Sequence, residues 1–188
     1  MTVEDAAVQI VAACQDLNIP VMVVGSLSCN FYGIPRSTND ADLVVQLEAG
    51  QLSELARRLT PTFRLDPQPG FETITGTTKY QLEVADQTFF VELFALSEDE
   101  HDRERFSRRR QESMKGHPIW LPTPEDVIVM KLRWYERGGR SKDWEDTRSV
   151  MAVQIDKLDW PYIESWCDRH GSRKHLDEVR KAVRDPGE

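Results

Sequence analysis

Apolar positions along this chain fall at helical spacing, then at strand spacing, then at helical spacing again. Val8, Val11, Ala12 and Leu17 line one side of a helix over residues 3–17, which Asn18 and Pro20 stop. The short apolar run Val21–Val24 ends at Gly25-Ser26 and predicts a first strand. A short helix from Ser26 to Tyr32-Gly33 follows, with Gly33 as its C′ residue, and then a second strand over Asp40–Gln46. Leu52, Leu55, Ala56 and Leu59 predict a helix over 49–59, and Pro61, Pro67, Pro69 and Gly70 mark a loop. Residues 71–84 alternate and predict a strand, Ala85-Asp86-Gln87 a tight connection, and Thr88–Leu96 the most apolar strand of the chain.

Beyond these strands the pattern becomes helical. A charged helix is predicted over 98–113, a short strand over His117–Leu121, and a helix over 125–137 introduced by Pro122 and Pro124 with Thr123 as N-cap. Further helices are predicted over 141–153, 160–170 and 173–184. The expected class is α+β: a mixed sheet flanked by helices over 1–121, then a helical subdomain over 122–188, with an active cleft between them.

Composition narrows this picture only a little. A length of 188 residues fits one domain, or a compact domain with a helical appendage, and can bury a core without disulfides. No apolar run approaches ~18 residues, so no membrane span is expected. The start Met-Thr-Val-Glu-Asp carries acid rather than base and predicts no signal peptide. Cys14, Cys29 and Cys167 are far apart and without metal-ligand spacing, and read as free thiols of a cytoplasmic protein. The formal net charge of −8 argues against broad nonspecific nucleic-acid binding and favours a small or protein acceptor over a long polymer.

The chemistry concentrates near the first two strands. Asp40 and Asp42 stand at i, i+2, so on a strand both carboxylates face one side of the sheet. Hard oxygen ligands so close suit Mg²⁺, which is commonly held by one or two carboxylates plus substrate phosphates. Ser-Thr-Asn-Asp also has turn character, but Leu43-Val44-Val45 directly after it favours the strand. Gly25-Ser26, at the mouth of a helix, suits a phosphate through backbone N–H groups and the helix dipole, and Ser26 is equally a plain N-cap. Glu92 interrupts the apolar run Phe89–Phe94, where a carboxylate needs either a partner or solvent.

These residues together resemble the nucleotidyltransferase superfamily, which shares the DNA polymerase beta fold. The order Gly-Ser…Tyr-Gly…Arg-x-Thr-x-Asp-x-Asp-Leu looks most like a bacterial subgroup of small transferases that includes abortive-infection toxins. The resemblance implies transfer of a nucleoside monophosphate from an NTP to an acceptor, with release of pyrophosphate. Asp40, Asp42 and Glu92 would be its catalytic and metal-binding carboxylates, and Mg²⁺ its cofactor. Glu92 departs from the more frequent Asp by one methylene. Gly25, Ser26, Arg36, Lys131 and Asp143 would be nucleotide-side residues.

Each of these carries a plainer alternative. Arg36, beside Thr38, is either a fork donor to phosphate or a solvated loop arginine. Lys131 falls in the apolar stripe Val127, Ile128, Trp134 and Tyr135, where a lysine meets a ligand or a structural ion partner. Arg140-Ser141-Lys142-Asp143-Trp144-Glu145-Asp146 resembles the family's Arg-x-Lys-Asp-x-x-Asp element, in which an Asp orients the lysine, and it also reads as an acidic helix start. Lys79 is a weak match to a basic residue that often precedes the third carboxylate. Arg103, Arg105, Arg108, Arg109 and Arg110 form either a solvated helix face or an RNA patch. An RNA 3′ end, a protein hydroxyl or a small molecule could accept the nucleotide, and an antitoxin-type partner is implied by the toxin resemblance alone. A different class of function is a catalytically weak nucleotide-binding or interaction module on the same fold.

Overall fold

The computed structural model describes residues 1–184. The chain forms two compact units, one of Met1–Leu27 with Ser37–Leu121, the other of Ser28–Arg36 with the chain from Pro122 onward. Helix α1 (Val3–Asp16) opens the first unit, capped by Thr2, whose hydroxyl accepts from the Asp5 N–H while the Asp5 carboxylate accepts from the Thr2 N–H. Strand β1 (Val21–Val24) is buried throughout and runs into α2 (Gly25–Tyr32). Strand β2 (Asp40–Val45), α3 (Gln51–Leu59), β3 (Phe63–Leu65), β4 (Gly70–Glu72), β5 (Thr77–Val84) and β6 (Phe90–Ala95) follow.

The main sheet is ordered β1-β2-β6-β5-β3, with β4 also on β5. Only the β2–β6 pairing is parallel; its neighbours are antiparallel. Ala41, Leu43, Val91 and Leu93 are fully buried on one face. The alternate positions Asp40, Asp42 and Glu92 are half-buried on the other. Farther along that second face Met22, Val24, Val44 and Phe94 pack against Phe106, so only its Asp-bearing end stays polar. Helix α1 packs on β1 and β2, and α3 packs on α1 and β3.

Three stretches differ from the expected elements. The alternating run 71–84 is broken, because the Glu72 carboxylate accepts from the N–H groups of Ile74 and Thr75 and turns the chain before β5. The expected loop after Pro61 contains the short strand β3. The expected helix 98–113 is helical only as α4 (Glu100–Ser107). Its second half is β7 (Arg110–Met114), which pairs with β8 (His117–Leu121) across Lys115-Gly116. Both turn residues have positive φ, 51° and 82°, the backbone of a primed hairpin turn.

The second unit holds α5 (Pro124–Gly138), α6 (Ser141–Gln154), α7 (Trp160–His170) and α8 (Arg173–Arg184). Thr123 caps α5 and Gly139 closes it in the left-handed conformation. Helix α5 packs on α6, α7 and α8, and Ile128, Leu132, Val150, Met151, Ile163 and Leu176 are fully buried. Segment Ser28–Arg36 is tied into this unit by polar contacts: Gln154 donates to the Tyr32 carbonyl and the Ile34 N–H donates to Ser149. Gly33 is not a left-handed C′ residue. A Cβ there would lie 2.6 Å from Ser149 Oγ, so the glycine serves close approach to α6. Among the described residues no helix is long and apolar enough to cross a membrane, and all three cysteines are buried thiols.

Leu93 lies fully buried on β6 between two strands. Leu93→Ala is expected to cost about 2–5 kcal/mol, read as a lower urea midpoint with an unchanged slope.

Candidate active site

In the first unit the sheet register gathers the carboxylates. Asp42 is paired with Val24 on β1 and with Glu92 on β6, so Asp42 and Glu92 stand side by side on parallel strands and Asp40 lies two residues away on the same face. Thr38 Oγ1 donates to Asp40 Oδ1 at 2.5 Å, which steadies that carboxylate at the strand's start. Gly25 closes β1 with φ +62°, and a Cβ at this position would lie 2.0 Å from Asp42 Oδ2. Any other residue would therefore be strained in its backbone and would collide with the aspartate. Ser26 follows as a buried residue in the first turn of α2.

Glu92 has a direct partner. Lys79 Nζ on β5 donates to Glu92 Oε1 at 2.5 Å, with the two side chains 36% and 19% exposed. Lys79 is in register with Phe94, so the pair runs diagonally across β5 and β6. The family resemblance marked Lys79 only weakly, as a basic residue before the third carboxylate, and its diagonal contact with Glu92 follows from the register.

In the second unit α5, α6 and Arg36 build an ion cluster. Lys131 is bound to Asp143 Oδ1 at 3.0 Å and to Asp146 Oδ2 at 2.8 Å, with only 12% of its side chain exposed. Arg36 donates to both oxygens of Asp146, from Nε at 2.6 Å and from Nη2 at 2.8 Å. Arg140 Nε donates to Asp143 at 2.8 Å. Asn30 clamps the Arg36 backbone by donating to its carbonyl and accepting from its N–H. Lys131 is thus seen with the ion partners that were one of its two expected roles, whereas Arg36, expected as a phosphate donor or a solvated loop residue, is paired with Asp146.

Charge in this cluster is fixed by its pairing. Burial works against the Lys131 ammonium, but Asp143 and Asp146 outweigh it and hold Lys131 above the ordinary lysine range. The neighbouring Cys29 thiol, pushed up to about 12 by burial, is uncharged at neutral pH. Burial likewise opposes the Asp146 carboxylate, and hydrogen bonds and charge from Arg36 and Lys131 more than compensate, holding it below the usual carboxylate range.

Within the basic run after residue 100, Arg105 and Arg109 are engaged in packing while Arg103 and Arg110 are exposed. Arg105 is buried on Asp102, Arg103 pairs with Glu98, and the Arg109 guanidinium lies 4.1 Å from the Phe106 ring centroid and 5.3 Å from that of Trp120.

No family model matches the chain, and no curated protein matches it in sequence. Solved structures do. ANT(2")-Ia in complex with adenylyl-2"-tobramycin gives a TM-score of 0.63 over 91% of this chain and 98% of its own, at 15% identity. An antigenic nucleotidyltransferase-like protein from Paracoccidioides brasiliensis gives 0.58, over 96% and 92%, at 18% identity. The lincosamide antibiotic adenylyltransferase LnuA, lincomycin-bound, gives 0.54 over 81% and 98%, at 8% identity. The fold is that of the nucleotidyltransferases.

Enzymes of the nucleotidyltransferase fold typically use a divalent metal, and the donor set here can be tested for one. Asp40 and Asp42 offer hard oxygens on one face of β2, which fits Mg²⁺ completed by substrate phosphates. Among the described residues no three His, Cys, Asp or Glu side chains converge to hold an ion by themselves.

Asp146→Asn leaves the buried Lys131 with one carboxylate fewer, and is expected to cost about 3 kcal/mol at neutral pH. Because Asp146 is depressed when folded, its contribution is fully present above the ordinary value of 3.8 and is lost as pH falls through the folded value. Urea unfolding across pH should therefore give a constant deficit in the neutral range that shrinks in acid. A deficit that grows in acid would contradict the assignment.

Proposed function

We propose that this protein is a Mg²⁺-dependent nucleotidyltransferase that moves a nucleoside monophosphate from an NTP to an acceptor hydroxyl. The observation that carries the reading is the register of β2 on β6, with Asp42 beside Glu92, Asp40 on the same face and Gly25 packed against Asp42.

In this reading Asp40 and Asp42 hold Mg²⁺, which when bound neutralises charge on the triphosphate. Gly25 and Ser26 seat the distal phosphates through the first N–H groups of α2. The acceptor oxygen forms a bond to the α-phosphorus, and the bond from that phosphorus to the bridging oxygen breaks, its electron pair leaving on pyrophosphate. The acceptor proton passes to the Glu92 carboxylate. Lys131, Asp143 and Arg36 are nucleotide-side residues in this reading, supported by the sequence motif and by the positive charge of Lys131.

A small-molecule acceptor is favoured over a polymer. Two proteins of this fold are solved with adenylyl-2"-tobramycin and with lincomycin, and the net charge of −8 opposes a long anionic acceptor.

The test is thermal stability of wild type and Asp42→Asn against each of the four NTPs, with Mg²⁺ and with EDTA. A ligand at ~100 times its Kd adds about 2.7 kcal/mol to stability, a readable rise in Tm. The expected result is a Mg²⁺-dependent shift with at least one NTP, absent in Asp42→Asn, whose unliganded Tm equals or exceeds that of wild type because one repelling carboxylate is gone. No shift with any NTP would overturn the reading.

A further inference from the structure

Glu92 is the residue whose surroundings differ most from what a two-cation site requires. A second ion beside the acceptor would need the Glu92 carboxylate as a ligand, together with one from β2. That carboxylate is already engaged by an ammonium: Lys79 Nζ lies 2.5 Å from Glu92 Oε1. The contact is built into the sheet. Lys79 and Glu92 are carried by adjacent antiparallel strands, and Glu92 is in turn in register with Asp42 on its other side. On the outer side of β5, Gly70 of β4 is paired with Lys79. A Cβ at Gly70 would come within 3.1 Å of both Cγ and Cε of Lys79, so the glycine gives the lysine stem its course.

The geometry points to Lys79 as a positioning residue that takes the place of a second cation: it holds Glu92 on the acceptor side, so that transfer runs with a single Mg²⁺ on Asp40 and Asp42. This rests on the nucleotidyltransferase reading above and specifies how its site is charged. The Lys79 ammonium supplies one positive charge next to Glu92, which is in register with Asp42 on the parallel strand. A fixed lysine also differs from an ion in needing no recruitment. Lys79→Met is therefore expected to release Glu92 and open a second ion site.

The experiment counts Mn²⁺ ions bound per protein–nucleotide complex by electron paramagnetic resonance. The nucleotide is the α,β-methylene analogue of the NTP that raises the Tm, which cannot be turned over. Wild type should bind one ion, Lys79→Met two, and the double variant Lys79→Met with Glu92→Gln one again. Glu92→Gln alone should still bind one ion, with affinity within about threefold of wild type, a difference of about 0.65 kcal/mol. The circular dichroism of each variant is recorded beside the count, and Glu92→Gln, which keeps the lysine, serves where Lys79→Met fails to fold. Two ions in wild type, falling to one in Glu92→Gln, would overturn the proposal and leave the nucleotidyltransferase reading intact. An ion count that is the same in wild type and in Asp42→Asn would overturn both.

Discussion

The parallel pairing of β2 with β6 is the constraint on which the candidate site depends. It is the one parallel contact in an otherwise antiparallel sheet, and it sets Asp42 next to Glu92 while Ala41 and Leu43 are buried beside Val91 and Leu93. Strand side chains alternate with period two, so a slip of one residue would put both aspartates in the core and the leucine outside. The hydrophobic face therefore enforces the polar one. The burial that stabilises the first unit is the same force that keeps three carboxylates on a single face against their mutual repulsion.

Two different answers to excess negative charge occur in this chain. In the second unit the buried Asp143 and Asp146 are paired with Lys131, Arg36 and Arg140, of which Arg36 is half-buried and Arg140 exposed. In the first unit Glu92 is paired with Lys79, and Asp40 accepts from the Thr38 hydroxyl. Asp40 and Asp42 on one face of β2 offer hard oxygens of the kind that suits a metal–nucleotide complex.

Much of this was legible in the sequence. The ends of β1, α2 and β2 follow from Val21–Val24, Gly25-Ser26 and Asp40-x-Asp42, because apolar runs and the residues that break them act locally. The four C-terminal helices follow from apolar spacing, with Pro122, Thr123 and Pro124 marking the start of the first. The hairpin at 110–121 was hidden because Arg110 to Met114 is a polar, largely solvent-facing strand, whose charges read equally well as a helix face. The pairing of Lys79 with Glu92, and of Arg36 with Asp146, lies in strand register and helix packing, and side chains 13 or 110 residues apart carry no periodic mark of their meeting. Gly33 was legible as necessary but for the wrong cause: its backbone needs no left-handed freedom, and its missing Cβ makes room for Ser149.

The excursion of Ser28–Arg36 into the helical unit has a consequence for how the protein can be divided. The chain enters that unit at Ser28, leaves it after Arg36 and returns at Pro122. A fragment cut at Leu121 would thus carry Cys29, Tyr32 and the Arg36 guanidinium without the helices that bury or pair them. A fragment beginning at Pro122 would lose the arginine that neutralises Asp146. Neither half is heritable by a single splice: recombination that exchanged the helical region between related genes would have to carry nine residues from the middle of the other unit, or rebuild their contacts from nothing.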